Sequence, residues 1–128
     1  MATVLDASAL LAVFRHETGA ELVQRSLLQG GCVVSSVNLV ETLTRLSDLG
    51  MLGPETPEEI EELGVQIVAF GREEAIAAAT LRTATAHRGL SLGDRACLAL
   101  ALALDAEVLT TDRAWAQVTV GARVRLIR

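Results

Sequence analysis

Short apolar runs alternate with longer segments of helical periodicity along the whole chain. The first apolar run stops at Asp6, after which Ala9, Leu10, Val13 and Phe14 recur at the spacing of one helix face. A short apolar run that ends at a polar residue directly before a helix is typical of a buried parallel strand followed by a crossover helix. We therefore predict that Asp6 lies at the carboxyl end of the first strand.

The same alternation continues to the end of the chain. We predict five strands: the run before Asp6, residues 32–35, 66–70 and 107–110, and a weaker fifth over 123–127. The predicted helices cover residues 9–14, 20–28, 38–49, 56–64, 72–87 and 91–104, with one helical turn over 112–117. Strands that alternate with helices predict an α/β domain in which helices cover a parallel sheet. The length fits a single domain over residues 1–128.

Composition narrows the class of protein. Hydrophobic residues make up 51% of the chain and aromatic residues only 2%, which indicates an aliphatic core suited to a helix-covered sheet. The net charge of −5 argues against a protein that coats nucleic acid through its overall field, but it permits an enzyme that grips a few phosphates through bound cations. All 11 basic residues are arginines. The absence of lysine excludes P-loop NTPases and Schiff-base enzymes.

Cysteine usage and apolar run length indicate the compartment. Cys32 and Cys97 both lie in apolar surroundings, and we expect buried, unreactive thiols rather than a disulfide or a metal pair. The N-terminus has no basic start, and Asp6 interrupts its apolar run, so it does not fit a signal peptide. The longest apolar run, residues 96–104, is about half of what a membrane span needs. We expect a soluble, cytoplasmic protein.

Four acidic residues fall where strands end or helices begin. Asp6 ends the first strand, and Asp112 follows the fourth strand by two residues. We place Asp94 in the first turn of the helix before the fourth strand, and Glu41 in the first turn of the helix after the second strand. Such points lie along one rim of a parallel sheet, where the ligands of open α/β sheets bind.

Each of the four acids also has a structural interpretation as part of a helix cap. In that interpretation Asp6 and Asp112 are N-caps, and Asp94 and Glu41 complete caps begun by Ser91 and Asn38. Capping alone, however, does not require acids at the crossovers that flank the centre of the sheet. Taken together, the four positions therefore favour a common site.

Carboxylates that share one cleft repel one another, and the chain has no lysine to neutralise them. A hard divalent cation resolves this conflict, because Mg²⁺ binds a few carboxylate oxygens and keeps waters and substrate phosphate oxygens in its shell. Such a site activates a water and stabilises charge on a phosphodiester, which indicates nuclease chemistry. His16 and His87 have no metal-ligand neighbours at helical spacing, and we expect surface or packing roles for them.

Four motifs carry a resemblance to a known family: Val4-Leu5-Asp6-Ala7-Ser8-Ala9-Leu10, Asn38-Leu39-Val40-Glu41, Leu92-Gly93-Asp94-Arg95 and Leu109-Thr110-Thr111-Asp112. In order, spacing and total length they resemble the PIN-domain ribonucleases, and in particular the VapC-type toxins of bacterial toxin–antitoxin systems. The resemblance covers essentially the whole chain. It implies a three-layer PIN-like α/β fold, with a mostly parallel central sheet of four to five strands covered by helices on both faces.

The resemblance also implies an activity. It suggests an endoribonuclease dependent on Mg²⁺ or Mn²⁺, which hydrolyses RNA phosphodiester bonds with a metal-activated water. By this resemblance Asp6, Asp94 and Asp112 hold the metal directly or through water, and Glu41 orients the metal or the attacking water.

The resemblance further implies supporting residues and partners. Ser8 and either Thr110 or Thr111 would fix the rotamers of the carboxylates through their hydroxyls. A homodimer is expected, as is a small VapB-type antitoxin whose C-terminal segment lies in the active-site groove.

Several charged and aromatic residues leave two interpretations open. Arg95 and Arg113 each follow a predicted site acid, where they either contact RNA phosphates or form exposed ion pairs. For Trp115 we favour packing over base stacking. The acidic run over residues 55–62 is most simply a solvated helix face, and it could also meet a basic partner.

Two other functions compete with the ribonuclease. Receiver domains and haloacid-dehalogenase-type phosphatases also place aspartates at strand ends. They use a lysine, however, and the phosphatases use a second aspartate where this chain has Ser8. The other competitor is a non-toxin or non-catalytic PIN module that binds RNA or a partner protein.

Overall fold

The computed structural model describes residues 2–118 and 120–128. No helix within these ranges is both long enough and apolar enough to cross a membrane. The strands are β1 (Thr3–Leu5), β2 (Cys32–Ser35), β3 (Gln66–Val68), β4 (Glu107–Thr110) and β5 (Arg123–Leu126). The helices are α1 (Ala7–Phe14), α2 (Ala20–Gln29), α3 (Ser36–Asp48), α4 (Thr56–Glu62), α5 (Arg72–Thr80), α6 (Arg82–Thr85) and α7 (Leu92–Leu104), with 3₁₀ turns at Ala86–Arg88 and Arg113–Gln117.

The five strands form one sheet in the order β3-β2-β1-β4-β5, and every neighbouring pair is parallel. The predicted parallel sheet is confirmed, including the weaker fifth strand. The chain moves from β1 outward to β3 and then returns to the other side of β1, so the strand order reverses between β1 and β4. The backbone N–H of Asp6 donates to the carbonyl of Leu109 (3.1 Å) and joins the two strands at this switch point. Ligands of such sheets bind outside the carboxyl ends of the strands at this place.

Successive residues of β1 face two separate cores. Leu5 packs with Leu10 of α1 and Val23 of α2 on one face of the sheet, while Val4 packs with Leu98 of α7 on the other. Helix α5 contacts α7, and α3 contacts both α1 and α7. The result is the expected three-layer arrangement, in which α3 connects the two helical layers.

The alanine-rich segment 72–87 is helical as predicted, but it is divided into α5, α6 and a 3₁₀ turn instead of forming one continuous helix. The guanidinium of Arg95 donates to the carbonyl of Ala78 in the last turn of α5 (Nη1 to O, 2.9 Å). The hydroxyls of Thr80 and Thr85 donate to the carbonyls four residues before them (both 2.8 Å). Side-chain hydrogen bonds of this kind compete with the helical ladder for backbone carbonyls, and they cluster where the segment divides.

Helix α3 begins at Ser36, two residues before the predicted start. Strand β3 ends at Val68, two residues before the predicted end. The side chain of Ser35 caps α3 by accepting a hydrogen bond from Val37 N (3.2 Å). Asn38 therefore lies inside the helix and begins no cap. The placement of Glu41 in the first turn is also wrong, because six helical residues from Ser36 onward put it in the second turn.

Candidate active site

Asp6 is a buried carboxylate at the carboxyl end of β1. It is only 6% exposed, and it occupies the N-cap position of α1 without capping it through its side chain. Its Oδ2 atom accepts hydrogen bonds from Ser8 Oγ (2.8 Å) and Thr110 Oγ1 (2.9 Å). Thr110 comes from the end of β4, so Asp6 is held by groups on both sides of the switch point.

The two hydroxyls that hold Asp6 are themselves fixed by the backbone beyond β4. Ser8 Oγ accepts from the N–H of Thr111 (3.0 Å), and Thr110 Oγ1 accepts from the N–H of Asp112 (3.1 Å). Each hydroxyl therefore has its proton free to donate to the carboxylate. Of the two threonines considered above, Thr110 supplies the hydroxyl and Thr111 supplies a backbone donor.

Asp94 and Asp112 both act as caps, as the structural interpretation predicted. Asp94 forms a capping box with Ser91, in which Ser91 N donates to Asp94 Oδ2 (2.9 Å) and Asp94 N donates to Ser91 Oγ (3.2 Å). Asp112 Oδ1 accepts from Ala114 N (2.9 Å) at the start of the 3₁₀ turn. In both cases the cap uses one carboxylate oxygen, so capping does not consume the whole acid.

Glu41 reaches the same region from α3. Its Oε1 atom accepts a hydrogen bond from Asn38 Nδ2 (2.8 Å), and its carboxylate lies against Gly93 in the first turn of α7, directly before Asp94. In the sequence, Asn38 was paired with Glu41 only as the start of a helix cap and Gly93 stood only within a motif, so neither was predicted as a site residue. The i,i+3 spacing of Asn38 and Glu41 on one helix was the available signal for the first of them.

The pKa values show that the acids share one electrostatic environment. Burial raises the pKa of Asp6 to about 6; the charges of Asp94 and Glu41 add to the rise, and the hydrogen bonds from Ser8 and Thr110 oppose it. Burial also raises the pKa of Asp94, to which the charge of Asp112 contributes. Electrostatic interaction therefore links Asp6 to Asp94 and Glu41, and Asp94 to Asp112.

Cys97 lies close to the acids, whereas Cys32 is the first residue of β2. Both are free and buried, as predicted. Burial raises the pKa of the Cys97 thiol, and the charges of Asp6, Asp94 and Glu41 add to this effect. Cys97 is thus a neutral, packed side chain beneath the acids.

None of the ion pairs found in residues 2–118 and 120–128 involves these four acids. Arg95, predicted to contact phosphates or to form an exposed ion pair, instead donates to the carbonyl of Ala78. Arg113 is exposed beside Asp112. Trp115 is buried and packs against the α7 face of the sheet, which confirms the packing interpretation, and His16 and His87 are exposed.

The donor set fits a hard divalent cation. Within the described ranges no three acidic, cysteine or histidine side chains converge as a ready-made cage. Mg²⁺ does not require one, because it keeps several waters and is usually bound by one or two carboxylates together with substrate phosphates. Oxygen ligands held in place by hydrogen bonds to their second oxygens suit such an ion. Asp6, Glu41, Asp94 and Asp112 are the residues that could hold such an ion in this way.

The fold and the site together define a class of protein: doubly wound parallel α/β domains with an acidic site at the switch point. Within that class the sequence identifies the family. The PIN domain family matches residues 3–121, so the chain belongs to the PIN domain family.

Solved structures share this fold over nearly the whole chain. A toxin–antitoxin complex from Klebsiella pneumoniae has 17% identity and a TM-score of 0.73, covering 99% of this chain and 98% of that one. The DNA-bound VapBC from Salmonella typhimurium has 18% identity and a TM-score of 0.74, covering 100% and 99%. VapBC-1 from nontypeable Haemophilus influenzae has 18% identity and a TM-score of 0.71, covering 99% and 98%. A search of curated proteins by sequence finds no match. The three-layer PIN-like fold expected from the sequence is confirmed.

Proposed function

We propose that this chain is an endoribonuclease toxin of the VapC type, which hydrolyses RNA phosphodiester bonds with the help of Mg²⁺ or Mn²⁺. Membership of the PIN domain family and the acidic site at the switch point support this proposal. The fold shared with toxin–antitoxin complexes supports the toxin assignment.

The observation that carries the proposal is that the two oxygens of each carboxylate have different hydrogen bonding. One oxygen of each acid accepts a hydrogen bond from the protein: Asp6 Oδ2, Glu41 Oε1, Asp94 Oδ2 and Asp112 Oδ1. The other oxygen receives no hydrogen bond from the described residues. Four acids that have no arginine partner in the described part of the chain, each oriented through one oxygen, support a ligand set for a cation rather than a set of caps alone.

Each residue has a defined part in the proposed reaction. A divalent cation held directly or through water by Asp6, Asp94 and Asp112 would lower the pKa of a water and neutralise charge on the phosphodiester. Ser8 and Thr110 keep Asp6 in one rotamer by donating to its Oδ2 atom. Glu41 would orient the metal or the attacking water. These groups come from the residue after β1, from α1, α3 and α7, and from the end of β4 and the segment after it, so the proposed site depends on the folded chain.

The proposed partners are an RNA substrate, a small VapB-type antitoxin and a second copy of the chain. The similar structures include a toxin–antitoxin complex and a DNA-bound VapBC. Exposed apolar side chains on α5 and α7, Ile76, Leu102 and Leu104, are consistent with a surface that a protein partner covers. Light scattering of the purified chain, alone and with the product of the neighbouring reading frame, tests both partners.

The test of the activity is RNA cleavage by the purified chain with Mn²⁺ or Mg²⁺. We expect cleavage to stop with a chelator and with Asp6→Asn, and to persist with Asp48→Asn, which changes an exposed acid at the end of α3. Cleavage that survives Asp6→Asn would refute the assignment of the site.

The alternative is a non-catalytic PIN module. It is favoured by the caps that Asp94 and Asp112 form, since caps are useful without catalysis. Thermal unfolding separates the two functions, because an ion that binds only the folded state raises the melting temperature. A rise with millimolar Mn²⁺ supports the metal-dependent enzyme, and no rise supports the binding module.

A further inference from the structure

Asn38 is fully buried between α3 and α7, and its side-chain amide joins these helices. Its Nδ2 atom donates to Glu41 Oε1 on the same helix (2.8 Å) and to the carbonyl of Gly93 in α7 (3.0 Å). An amide nitrogen has two protons, and both are used. One side chain therefore fixes the position of a site acid and the distance between two helices.

The orientation of this amide is determined by its neighbours. Asn38 Oδ1 is buried without a hydrogen-bond partner among the described residues. Turning the amide over would bring Oδ1 against Glu41 Oε1 and the carbonyl of Gly93, which are both acceptors, and would leave Nδ2 without either. In the observed orientation Oδ1 has no partner among the described residues, which lowers stability. The same orientation allows Nδ2 to make both of its hydrogen bonds.

Gly93 supplies the space into which Glu41 fits. A Cβ atom at Gly93 would overlap the carboxylate of Glu41. The backbone of Gly93 lies in an α-helix, where alanine is the more stable residue, so backbone conformation does not require a glycine there. The missing side chain is therefore explained by the close approach of Glu41.

We propose that Asn38 and Gly93 are positioning residues for Glu41: Asn38 holds its carboxylate by a hydrogen bond, and Gly93 leaves the space that this position needs. We call Asn38, Glu41 and Gly93 the α3–α7 contact. The inference rests on the proposed function, since it concerns how the fourth acid reaches the site. It adds that the reach of Glu41 depends on two neutral residues that take no part in the reaction.

The test is a double-mutant cycle between Glu41→Ala and Gly93→Ala, read by Mn²⁺ affinity and by melting temperature without metal. With Glu41 present, Gly93→Ala displaces the carboxylate, and we expect Mn²⁺ to bind about 10- to 100-fold more weakly, as for other residues that orient a ligand. With Glu41→Ala the space is empty, and Gly93→Ala has little further effect. The matched control is Gly71→Ala at the start of α5, where a Cβ would meet its nearest neighbour, Glu74 Oε2, at an ordinary 3.7 Å.

Melting temperatures measured without metal test the α3–α7 contact independently of metal binding. Alanine is favoured over glycine in a helix, so Gly93→Ala should raise the melting temperature in the Glu41→Ala background. In the wild-type background, the displaced carboxylate cancels or reverses this gain. Equal shifts in both backgrounds, or unchanged Mn²⁺ affinity with Glu41 present, would overturn the inference. If wild-type protein binds no Mn²⁺, the proposed function fails, and the melting temperatures alone decide on the contact.

Asn38→Asp provides a second, independent variant. It keeps the size of the side chain, removes both donor contacts and places a carboxylate beside Glu41. We expect loss of Mn²⁺ affinity when Glu41 is present, and partial recovery of the melting temperature when Asn38→Asp is combined with Glu41→Gln, whose amide can donate to the new carboxylate. The absence of any recovery would show that Asn38 acts only through the packing of α3.

Discussion

The two ends of β4 hold acidic residues in opposite ways. At its start, Asp105 pairs with Arg123 (2.9 Å) and Glu107 with Arg125 (3.8 Å), and both arginines belong to the neighbouring strand β5. Beyond its end, Asp112 accepts a backbone hydrogen bond and has no arginine partner among the described residues. The acids at the start of β4 are thus paired with arginines, whereas the described residues provide no arginine partner for the acid beyond its end.

This difference supports the proposed distinction between acids that serve structure only and acids that also serve chemistry. The side chain of Asp105 is 91% exposed, so water already solvates its charge and the pair with Arg123 contributes little. Asp6 lies at the opposite, carboxyl end of the sheet and is 6% exposed, where an unpaired charge is costly. A protein that keeps such a charge without a cation from its own chain has an arrangement suited to a cation from solution.

The largest expected effect comes from the two capping acids. Asparagine serves as an N-cap as well as aspartate does, and its side-chain oxygen can also accept the hydrogen bond from Ser91 N that Asp94 accepts in the capping box, so Asp112→Asn and Asp94→Asn should preserve the fold. Each substitution, however, replaces a charged carboxylate with a neutral amide, which binds a metal ion more weakly. We expect RNA cleavage to fall about 10³-fold, because such an ion contributes several kcal/mol to stabilisation of the transition state. Asp105→Asn, at the other end of β4, is the control and should leave cleavage unchanged. Full activity in both capping variants would mean that these acids are caps only.

The next effect is on stability as a function of pH without metal. The pKa of Asp6 is about 6 in the folded chain, against an ordinary value of 3.8. The folded state therefore binds the extra proton, and this stabilisation is complete below the ordinary pKa and is lost as pH rises through about 6. The loss amounts to about 3 kcal/mol. Urea unfolding of wild type and Asp6→Asn should show a free-energy difference that grows between these pH values, whereas parallel curves would contradict the buried charge.

A smaller effect is expected from the hydroxyl that holds Asp6. Thr110→Val keeps the shape of a buried side chain but removes the hydrogen bond to Asp6 Oδ2, and we expect Mn²⁺ affinity to fall about 10- to 100-fold. Thr85→Val is a matched control, since Thr85 is equally buried and its hydroxyl donates to the carbonyl of Leu81. Calorimetric titration measures both. The same loss in both variants would point to general loosening of the fold.

The smallest effect is predicted at the start of β4. Arg123→Ala breaks an exposed ion pair with Asp105, and we expect a change in the free energy of unfolding of about 1 kcal/mol or less, with no change in cleavage or Mn²⁺ affinity. A loss of activity here would remove the functional distinction between the two ends of the strand. Urea unfolding and the cleavage assay together provide the measurement.

Much of the fold and three of the acids follow from short-range patterns. Asp6, Asp94 and Asp112 stand beside a strand end or a helix start that the chain marks locally, by an apolar run or by a capping residue such as Ser91. Because parallel strands bring their carboxyl ends to one edge, local positions also predict that these acids share a rim.

The remaining features depend on contacts between distant segments. Gly93 approaches Glu41 across more than fifty positions, and Arg95 binds the carbonyl of Ala78 on another helix. No periodicity records such pairs, because each residue looks ordinary within its own segment. The division of the 72–87 segment was missed for the same reason, since alanine spacing continues through it while a guanidinium from α7 takes one of its carbonyls.

Trp115 is the only tryptophan of the chain, which has no tyrosine. The indole is 1% exposed and lies in the 3₁₀ turn that Asp112 caps, three residues from that carboxylate. Nearly all intrinsic fluorescence therefore arises from one ring beside the candidate site. Any ligand that shifts the turn changes the emission of this ring, so unlabelled protein carries its own optical reporter of occupancy.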